Sequence, residues 1–93
     1  MRTLLSRRER KIKVDIYSKK DCHLCEAAKD VLLKVQKEFP FDLEEIDITQ
    51  ADALYQQYKE QIPVIFINGR KAFKFRVGEE ALRRKLKMEM SRG

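Results

Sequence analysis

The residues of this chain best suited to chemistry are its two cysteines, which stand three apart in Cys22-His23-Leu24-Cys25. They lie between a predicted strand and a predicted helix. At a helix start, residues three apart share one face, so the two sulfurs can meet and close a disulfide. Unpaired backbone N–H groups and the positive end of the helix dipole stabilise a thiolate there, which lowers a thiol pKa from about 8.5 to roughly 3.5–7.5. We therefore expect Cys22 to be the attacking nucleophile and Cys25 to resolve the mixed disulfide.

Three neighbouring side chains are candidates for tuning this pair. Lys19 and Lys20 precede the cysteines and would add positive charge, although solvent screens exposed lysines. His23 lies between the cysteines, in one of the two positions that set redox poise, and it is either a tuning residue or a bystander facing solvent.

Other roles for two cysteines are less well supported. A structural zinc site usually needs four Cys or His ligands, and the chain has two Cys and one His. Free cysteines are also often buried simply as packing residues. A lone C-x-x-C is only moderately specific, but after the first strand of an α/β pattern it is typical of a redox motif.

The elements around the pair follow from hydrophobic periodicity. The alternation of polar and apolar side chains over residues 13–17 predicts a strand. Apolar residues then recur on one helical face from Leu24 to Phe39, and Pro40 is expected to end that helix. The predicted face comprises Leu24, Ala27, Ala28, Val31, Leu32, Val35 and Phe39.

The second half of the chain predicts two more helices and three more strands. A strand partly buried on both faces is predicted over residues 41–48, and a capping box at Thr49 predicts a short helix through Tyr58. An apolar strand over residues 62–67 ends in Asn68-Gly69, a hairpin signal, and the returning strand is predicted over residues 72–77. A last helix follows, with acids in its first turn and bases towards its end.

This order, strand–helix–strand–helix–strand–strand–helix, predicts an α/β fold. The first strand–helix–strand unit gives a parallel pair, and the hairpin gives an antiparallel one. We therefore expect a four-stranded mixed sheet with helices on both faces.

Length and charge limit the remaining possibilities. The 93 residues, 43% hydrophobic and 39% charged, suit one small domain and exclude a disordered or disulfide-dense class. No apolar run is long enough to span a membrane. Net charge is +5 over residues 1–13, −5 over 14–69 and +6 over 70–93. We interpret residues 1–12 as a basic N-terminal arm and residues 13–93 as the folded domain.

Over residues 13–88 the chain resembles the glutaredoxin and thioredoxin superfamily, and most closely its small glutaredoxin-like members. The resemblance rests on residues 15–18 ahead of the cysteine motif, on residues 45–48, and on residues 62–69. It implies a cis Ile62–Pro63 bond lying against the cysteine pair. Because proline has no N–H, the neighbouring Ile62 backbone is left free to pair with a substrate peptide or thiol.

Several residues depart from the glutaredoxin pattern. His-Leu replaces the usual Pro-Tyr between the cysteines, and Gln61-Ile62 replaces Thr-Val before the proline. The family's late Gly-Gly-x-Asp turn, which grips the γ-glutamyl end of glutathione, is represented only by residues 77–80. Gly78 would present a helix N-terminus to a carboxylate, with Glu79 and Glu80 in place of the acidic partner. We expect no tightly bound cofactor, and these departures weaken the expectation of glutathione binding.

The sequence thus favours a thiol–disulfide oxidoreductase. It would act as a monomer in the cytoplasm, on a protein or small-thiol disulfide, with an external reductant. One alternative is a non-enzymatic adaptor whose basic flanks dock an acidic protein or RNA, although no RNA-recognition aromatic signature accompanies those flanks. Another is a metal cluster ligated by Cys22 in a dimer, which the weakened glutathione site disfavours.

Overall fold

The structure, a computed structural model, describes residues 11–92. Its elements are β1 (Lys13–Ser18), α1 (His23–Gln36), β2 (Asp42–Asp47), α2 (Asp52–Tyr58), β3 (Val64–Ile67), β4 (Arg70–Lys74) and α3 (Glu79–Arg92). A single 3-10 turn, Ile48–Gln50, joins β2 to α2. The predicted order of strands and helices is therefore confirmed.

The four strands form one mixed sheet in the order β2-β1-β3-β4. The β1–β2 pair is parallel, whereas β1–β3 and β3–β4 are antiparallel. Asn68 and Gly69 have positive φ angles of 50° and 82°, which is the backbone of the predicted two-residue hairpin turn. As a result, the ends of β1, β2 and β4 and the start of β3 all meet at one end of the sheet.

Two apolar clusters cover the two faces of this sheet. The larger cluster joins the sheet to α1 and α3, and its fully buried members are Val14, Ile16, Leu32, Val35, Ile65, Leu82 and Leu86. The smaller cluster lies under α2 and contains Ile48, Tyr58, Ile62, Val64 and Cys25. Helices therefore lie on both faces, as predicted, and the second cysteine belongs to the smaller core.

Helix α1 is shorter than predicted, and its predicted inward face is confirmed from Ala28 to Val35 but is wrong at its first turn. It ends at Gln36 rather than near Phe39, because the N–H groups of Lys37 and Glu38 donate to carbonyls only three residues back. Leu24 is 37% exposed and Ala27 is also exposed, so both were wrongly assigned to the core face. The buried positions at the start of the helix are Cys25 and Ala28.

The capping box predicted at Thr49 is wrong. Helix α2 begins after Ala51, whose side chain makes no capping hydrogen bond. The Thr49 hydroxyl instead donates to Asp47 Oδ1 at 2.7 Å, and the Thr49 N–H donates to the same oxygen at 2.9 Å. Thr49 therefore belongs to the 3-10 turn, where Asp47 is the N-cap.

Strand β4 also differs from the prediction of residues 72–77. It begins at Arg70 and ends at Lys74, and its register with β3 shifts between Ile65 and Phe66. This bulge breaks the two-residue alternation on which the sequence argument depended. Phe75 then adopts a φ of 70°, its N–H donates to the Pro63 carbonyl at 2.8 Å, and its side chain is 41% exposed.

The backbone at Phe75 gives a first testable prediction. A positive φ is costly for any residue with a Cβ but not for glycine. We expect Phe75→Gly to have a higher free energy of unfolding than Phe75→Ala, by about 1 kcal/mol. In strands and helices, by contrast, an alanine variant is usually more stable than a glycine variant. Urea denaturation of the two variants measures the difference, and an alanine variant of equal or greater stability would show that the turn is unstrained.

Most of the predicted basic arm lies outside the described residues. Two of its members are described. The Lys11 ammonium pairs with the Asp42 carboxylate at 3.5 Å, and Ile12 is buried in the larger cluster. The Ile12 carbonyl also accepts the Asp42 N–H at 2.9 Å. The packed part of the chain thus includes Ile12.

Candidate active site

Cys22 lies at the start of helix α1, at the end of the sheet where four strands meet. Its φ and ψ of −118° and 105° are extended, so it is the N-cap residue of α1. The Cys25 N–H donates to the Cys22 Sγ at 3.2 Å. The residue before it, Asp21, has a φ of 58°, a conformation that aspartate tolerates better than most residues. The sulfur of Cys22 is therefore a direct acceptor for one of the amide groups at the helix N-terminus.

Cys25 lies one turn further into the helix and is only 3% exposed, whereas Cys22 is half-buried. Their Cα atoms are 5.2 Å apart and their sulfurs are close enough to be a disulfide. This is the difference in accessibility that an attacking and a resolving thiol require.

Three aromatic rings that the sequence reading did not single out lie beside the pair. The ring centroids of Tyr17 and Tyr58 are 4.9 Å apart, those of Tyr17 and Phe66 are 5.2 Å apart, and all three rings belong to the smaller cluster with Cys22. Burial raises the pKa of Tyr17, so its hydroxyl stays protonated at neutral pH. Strand register would have been needed to find this cluster, because its members are far apart in sequence.

The predicted tuning residues lie around the pair among acidic groups. His23 is exposed and lines a surface hollow with Asp21, Cys22 and Glu26. Lys19 and Lys20 are exposed and line the adjoining hollow, whose acidic residues are Glu26, Glu45 and Asp47. Hydrogen bonds from Thr49 lower the pKa of Asp47, and the charge of Lys20 lowers it further.

The negative charge of these acidic residues offsets the positive charge of Lys19 and Lys20. Glu45 accepts hydrogen bonds from the buried Ser18 hydroxyl at 3.0 Å and from the Lys29 ammonium at 3.1 Å. Because Lys19 and Lys20 are exposed and lie among Glu26, Glu45 and Asp47, solvent and these acids screen the charge of the two lysines. The helix amides are thus the main source of thiolate stabilisation that the geometry offers.

Ile62 and Pro63 adjoin the cysteines from the start of β3. The Ile62–Pro63 bond is cis, as the resemblance implies. Ile62 packs in the same cluster as Cys22 and Cys25. Within residues 11–92, neither its N–H nor its carbonyl takes part in a hydrogen bond. Ile62 therefore offers a backbone donor and acceptor next to the sulfur pair.

Gly78 and Glu79 lie at the start of α3, and their hydrogen bonds and ion pairs are with residues outside the cysteine loop. The Gly78 carbonyl accepts the Leu82 N–H at 3.0 Å, and an added Cβ at Gly78 would meet no atom within 4 Å. The Glu79 carboxylate pairs with the Lys34 ammonium at 3.0 Å and the Arg83 guanidinium at 3.3 Å. In the described part of the chain, no hydrogen bond or ion pair joins either residue to the cysteine loop.

Arg83 links α3 to the end of α1 and gives a second prediction. Its guanidinium donates to both carboxylate oxygens of Glu38, at 3.0 and 2.7 Å. The Arg83 hydrogen bond holds the pKa of Glu38 below its usual range, and Lys34 and Arg83 do the same for Glu79. A carboxylate with a lowered folded-state pKa stabilises the fold above its unfolded pKa and loses that contribution as the pH falls.

We therefore expect the free energy of unfolding to fall as the pH is lowered through about 4.5, and Arg83→Gln to flatten this decline. Arg84→Gln is the matched control, since Arg84 is exposed and has no ion pair in the described structure. Urea titrations between pH 3 and 7 provide the comparison. Parallel pH profiles for all three proteins would show that the ion pairs of Arg83 with Glu38 and Glu79 do not contribute to the pH dependence of stability.

Residues 11–92 contain no group of three or more His, Cys, Asp or Glu side chains placed to hold a metal ion. Across the same residues, none of the helices has the length and apolar character needed to cross a membrane.

Comparison with known proteins accords with this geometry. A curated relative from Dictyostelium discoideum, named glutaredoxin-like protein YDR286C homolog, is 31% identical over 77 positions, covering 76% of this chain and 71% of the relative. Two solved structures, a structural genomics target from X. campestris and a protein of Nitrosomonas europaea, are 25% and 26% identical, and each has a TM-score of 0.70. Each covers 81% of this chain, and this chain covers 96% and 91% of them.

A thioredoxin of Fasciola hepatica shares the fold, with a TM-score of 0.61 at 18% identity over 95% of this chain and 89% of that one. The model of the glutaredoxin-like domain family (DUF836) matches residues 13–87. That match includes both cysteines, Ile62, Pro63 and the start of α3. The chain is thus a member of the glutaredoxin-like domain family, with a thioredoxin fold.

Proposed function

We propose that this protein is a thiol–disulfide oxidoreductase that uses Cys22 and Cys25 as its dithiol. The observation that carries the proposal is the position of Cys22 as the N-cap of α1, with its sulfur accepting the Cys25 N–H. Amide groups at this position favour a negatively charged sulfur, and the thiolate is the nucleophilic form of cysteine. Cys25, buried and within bonding reach, is suited to the second step.

The reaction proceeds by two thiol–disulfide exchanges. The Cys22 thiolate attacks one sulfur of a substrate disulfide, whose S–S bond breaks and releases the other sulfur as a thiolate that takes up a proton. Cys25 then loses its proton and attacks the Cys22 sulfur of the mixed disulfide. The second substrate thiolate leaves, and the Cys22–Cys25 disulfide holds the oxidising equivalent. A dithiol or two monothiols from outside the protein restore the reduced pair.

The free backbone groups of Ile62 support a role in substrate binding. An extended substrate segment can donate to the Ile62 carbonyl and accept from its N–H in the manner of an added strand. This would hold the substrate sulfur beside Cys22, because Ile62 and both cysteines share one cluster. The Gly78 N-terminus of α3 is a second proposed contact, for a substrate carboxylate, whereas Glu79 would have to give up two ion pairs to bind an amine.

The partners follow from this chemistry. The substrate is a disulfide in a protein or a small thiol, the reductant is external, and no tightly bound cofactor is required. We propose that the protein works as a monomer, since the cysteines and Ile62 come from one chain, and in a reducing compartment such as the cytoplasm, where the pair is regenerated. Glu79, the candidate contact for the amine of glutathione, already pairs with Lys34 and Arg83, and Glu80 pairs with Arg83, which favours a substrate other than glutathione.

The direct test is to trap the intermediate with Cys25→Ser. This variant keeps the nucleophile and lacks the resolving thiol, so a protein–substrate mixed disulfide should accumulate. Incubation with hydroxyethyl disulfide, followed by mass spectrometry of the intact protein and its tryptic peptides, should place the adduct on Cys22. An adduct absent from Cys22, or one that forms no faster than on a free peptide thiol, would contradict the proposal.

A further inference from the structure

Phe75 is an unusual residue in the structure, because its strain and its exposure are not explained by packing. The Arg76 N–H donates to the Lys74 carbonyl at 2.8 Å, which closes a three-residue turn with Phe75 at its centre and a φ of 70°. Such turns are rare and strained. Phe75 belongs to neither apolar cluster and its side chain is 41% exposed. Strained residues of this kind concentrate at binding and catalytic sites.

The turn lies at the same end of the sheet as the cysteines. The Phe75 N–H donates to the Pro63 carbonyl at 2.8 Å, and Pro63 follows Ile62, which packs with Cys22. Strand β4 lies two strands from β1, so Phe75 is roughly 10 Å from the cysteine loop at a spacing of about 4.8 Å per strand. An extended peptide covers this distance in about three residues.

The charge around Phe75 differs from the charge on the other side of the cysteines. Lys59, Lys74 and Glu60 line a depression that includes Phe75, and the exposed Arg76 adjoins it. The Lys74 ammonium lies 5.4 Å from the Phe75 ring centroid. Lys59, Lys74 and Arg76 have no ion pair with any residue of the described chain, so their charge is available to a partner.

Beyond the opposite side of the loop, the end of β2 carries Glu45 and Asp47. Lys19 and Lys20 lie among those acids and Lys29 pairs with Glu45, so charges of both signs meet beside β2, whereas cations predominate beside β4. A substrate segment that runs from Cys22 past Ile62 meets positive charge and an exposed aromatic ring.

We propose that Phe75, with Lys59, Lys74 and Arg76, forms a docking surface for an acidic polypeptide segment that carries an apolar side chain two to four residues from the substrate cysteine. This rests on the proposed oxidoreductase function and narrows its substrates to polypeptides of that kind. The ring packs against the apolar side chain, and the three cations attract the acids. The surface determines specificity and takes no part in the exchange of sulfur bonds.

The test compares two synthetic peptides, each with one cysteine held in a disulfide with 2-nitro-5-thiobenzoate. In the first peptide the cysteine is followed by Gly-Glu-Leu-Glu, and in the second by Gly-Lys-Leu-Lys, so that the leucine lies three residues from the cysteine. We expect kcat/KM for the acidic peptide to exceed that for the basic peptide at least tenfold in low salt, and the difference to shrink as salt screens the charges. Equal values would overturn the proposal.

Two variants test whether the preference for the acidic peptide arises from this surface. Phe75→Gly removes the ring and suits the turn, and the double variant Lys59→Glu, Lys74→Glu reverses the charge. The double variant should bring the ratio close to one, and Phe75→Gly should raise KM for both peptides, because both carry the leucine that packs on the ring. Turnover of hydroxyethyl disulfide should stay unchanged in both variants. Leu33→Ala and Lys87→Glu change an exposed leucine and lysine elsewhere and should keep the tenfold ratio. A ratio that survives in the double variant, or a KM that is unchanged in Phe75→Gly, would place the binding surface elsewhere.

Failure of the chemistry is distinguishable from failure of docking. If the wild-type protein does not reduce hydroxyethyl disulfide, the oxidoreductase function fails. Docking is then measured by fluorescence anisotropy with fluorescein-labelled peptides in which serine replaces the cysteine. Tighter binding of the acidic peptide that is weakened in Phe75→Gly and lost in the Lys59→Glu, Lys74→Glu double variant would support the surface. Equal binding of both peptides, or tighter binding of an RNA oligomer, would overturn it.

Discussion

Cys22→Ser is expected to lower the turnover of disulfide substrates about a thousandfold or more, because a serine hydroxyl at this position cannot replace the attacking thiolate. The substitution exchanges a sulfur for an oxygen at a half-buried N-cap, and serine is itself a favoured N-cap residue. The fold should therefore be retained. Reduction of hydroxyethyl disulfide, and of insulin by its precipitation, measures the loss.

The control for this prediction is the free energy of unfolding of the reduced proteins. We expect the Cys22→Ser variant to stay within about 1 kcal/mol of the reduced wild type, since the capping bond from the Cys25 N–H is kept. A serine variant that is folded and still turns over either substrate at the wild-type rate would refute the assignment of Cys22 as the nucleophile.

The reduced protein is expected to show a thiol that reacts with iodoacetamide with a midpoint below pH 7.5. A thiol whose pKa lies about two units below the ordinary value of about 8.5 has, at pH 6, an ionised fraction roughly 75 times larger than that of an ordinary thiol. Its lower intrinsic nucleophilicity reduces this advantage to roughly tenfold. The rate of Cys22 alkylation at pH 6, compared with that of the urea-unfolded protein, measures the effect. A midpoint near 8.5 would show that the helix amides do not activate the sulfur.

The same titration separates the helix amides from the lysines. We expect Lys19→Ala and Lys20→Ala to leave the midpoint nearly unchanged, because Glu26, Glu45 and Asp47 lie among those two side chains. A large upward shift in either variant would instead assign the activation to the lysine charge. The redox potential measured on the same samples then locates the pair within the range of about −120 to −270 mV covered by this class.

Much of this site could be predicted because its determinants are local in sequence. The spacing of Cys22 and Cys25 at a helix start fixes their proximity, and Asn68-Gly69 specifies the hairpin that brings β4 back along β3. The alternation of buried residues along β1 and the apolar run of β3 likewise depend on neighbours along the chain.

The features that sequence reasoning missed depend on contacts between distant segments. The bulge opposite Ile65 and Phe66 shifts the alternation of β4, and the strand ends at Lys74, which pairs with the first residue of β3, so Phe75 lies outside the strand in which its alternation had placed it. Leu24 fits the helical period but lies at the open end of α1, where no other element covers it. The rings of Tyr17, Tyr58 and Phe66 meet only through the sheet register.

Cys22, the proposed nucleophile, is also the N-cap residue of α1, and this links two equilibria. A charged sulfur accepts the Cys25 N–H more strongly than a sulfur engaged in a disulfide, so α1 is held most firmly at its start when the protein carries two free thiols. By thermodynamic linkage, whatever the cap adds to the stability of the dithiol form favours that form over the oxidised one. Each tenfold by which the cap favours the dithiol form raises the midpoint potential by about 30 mV, so under the proposed function this one amide–sulfur contact influences how readily the cysteine pair accepts electrons.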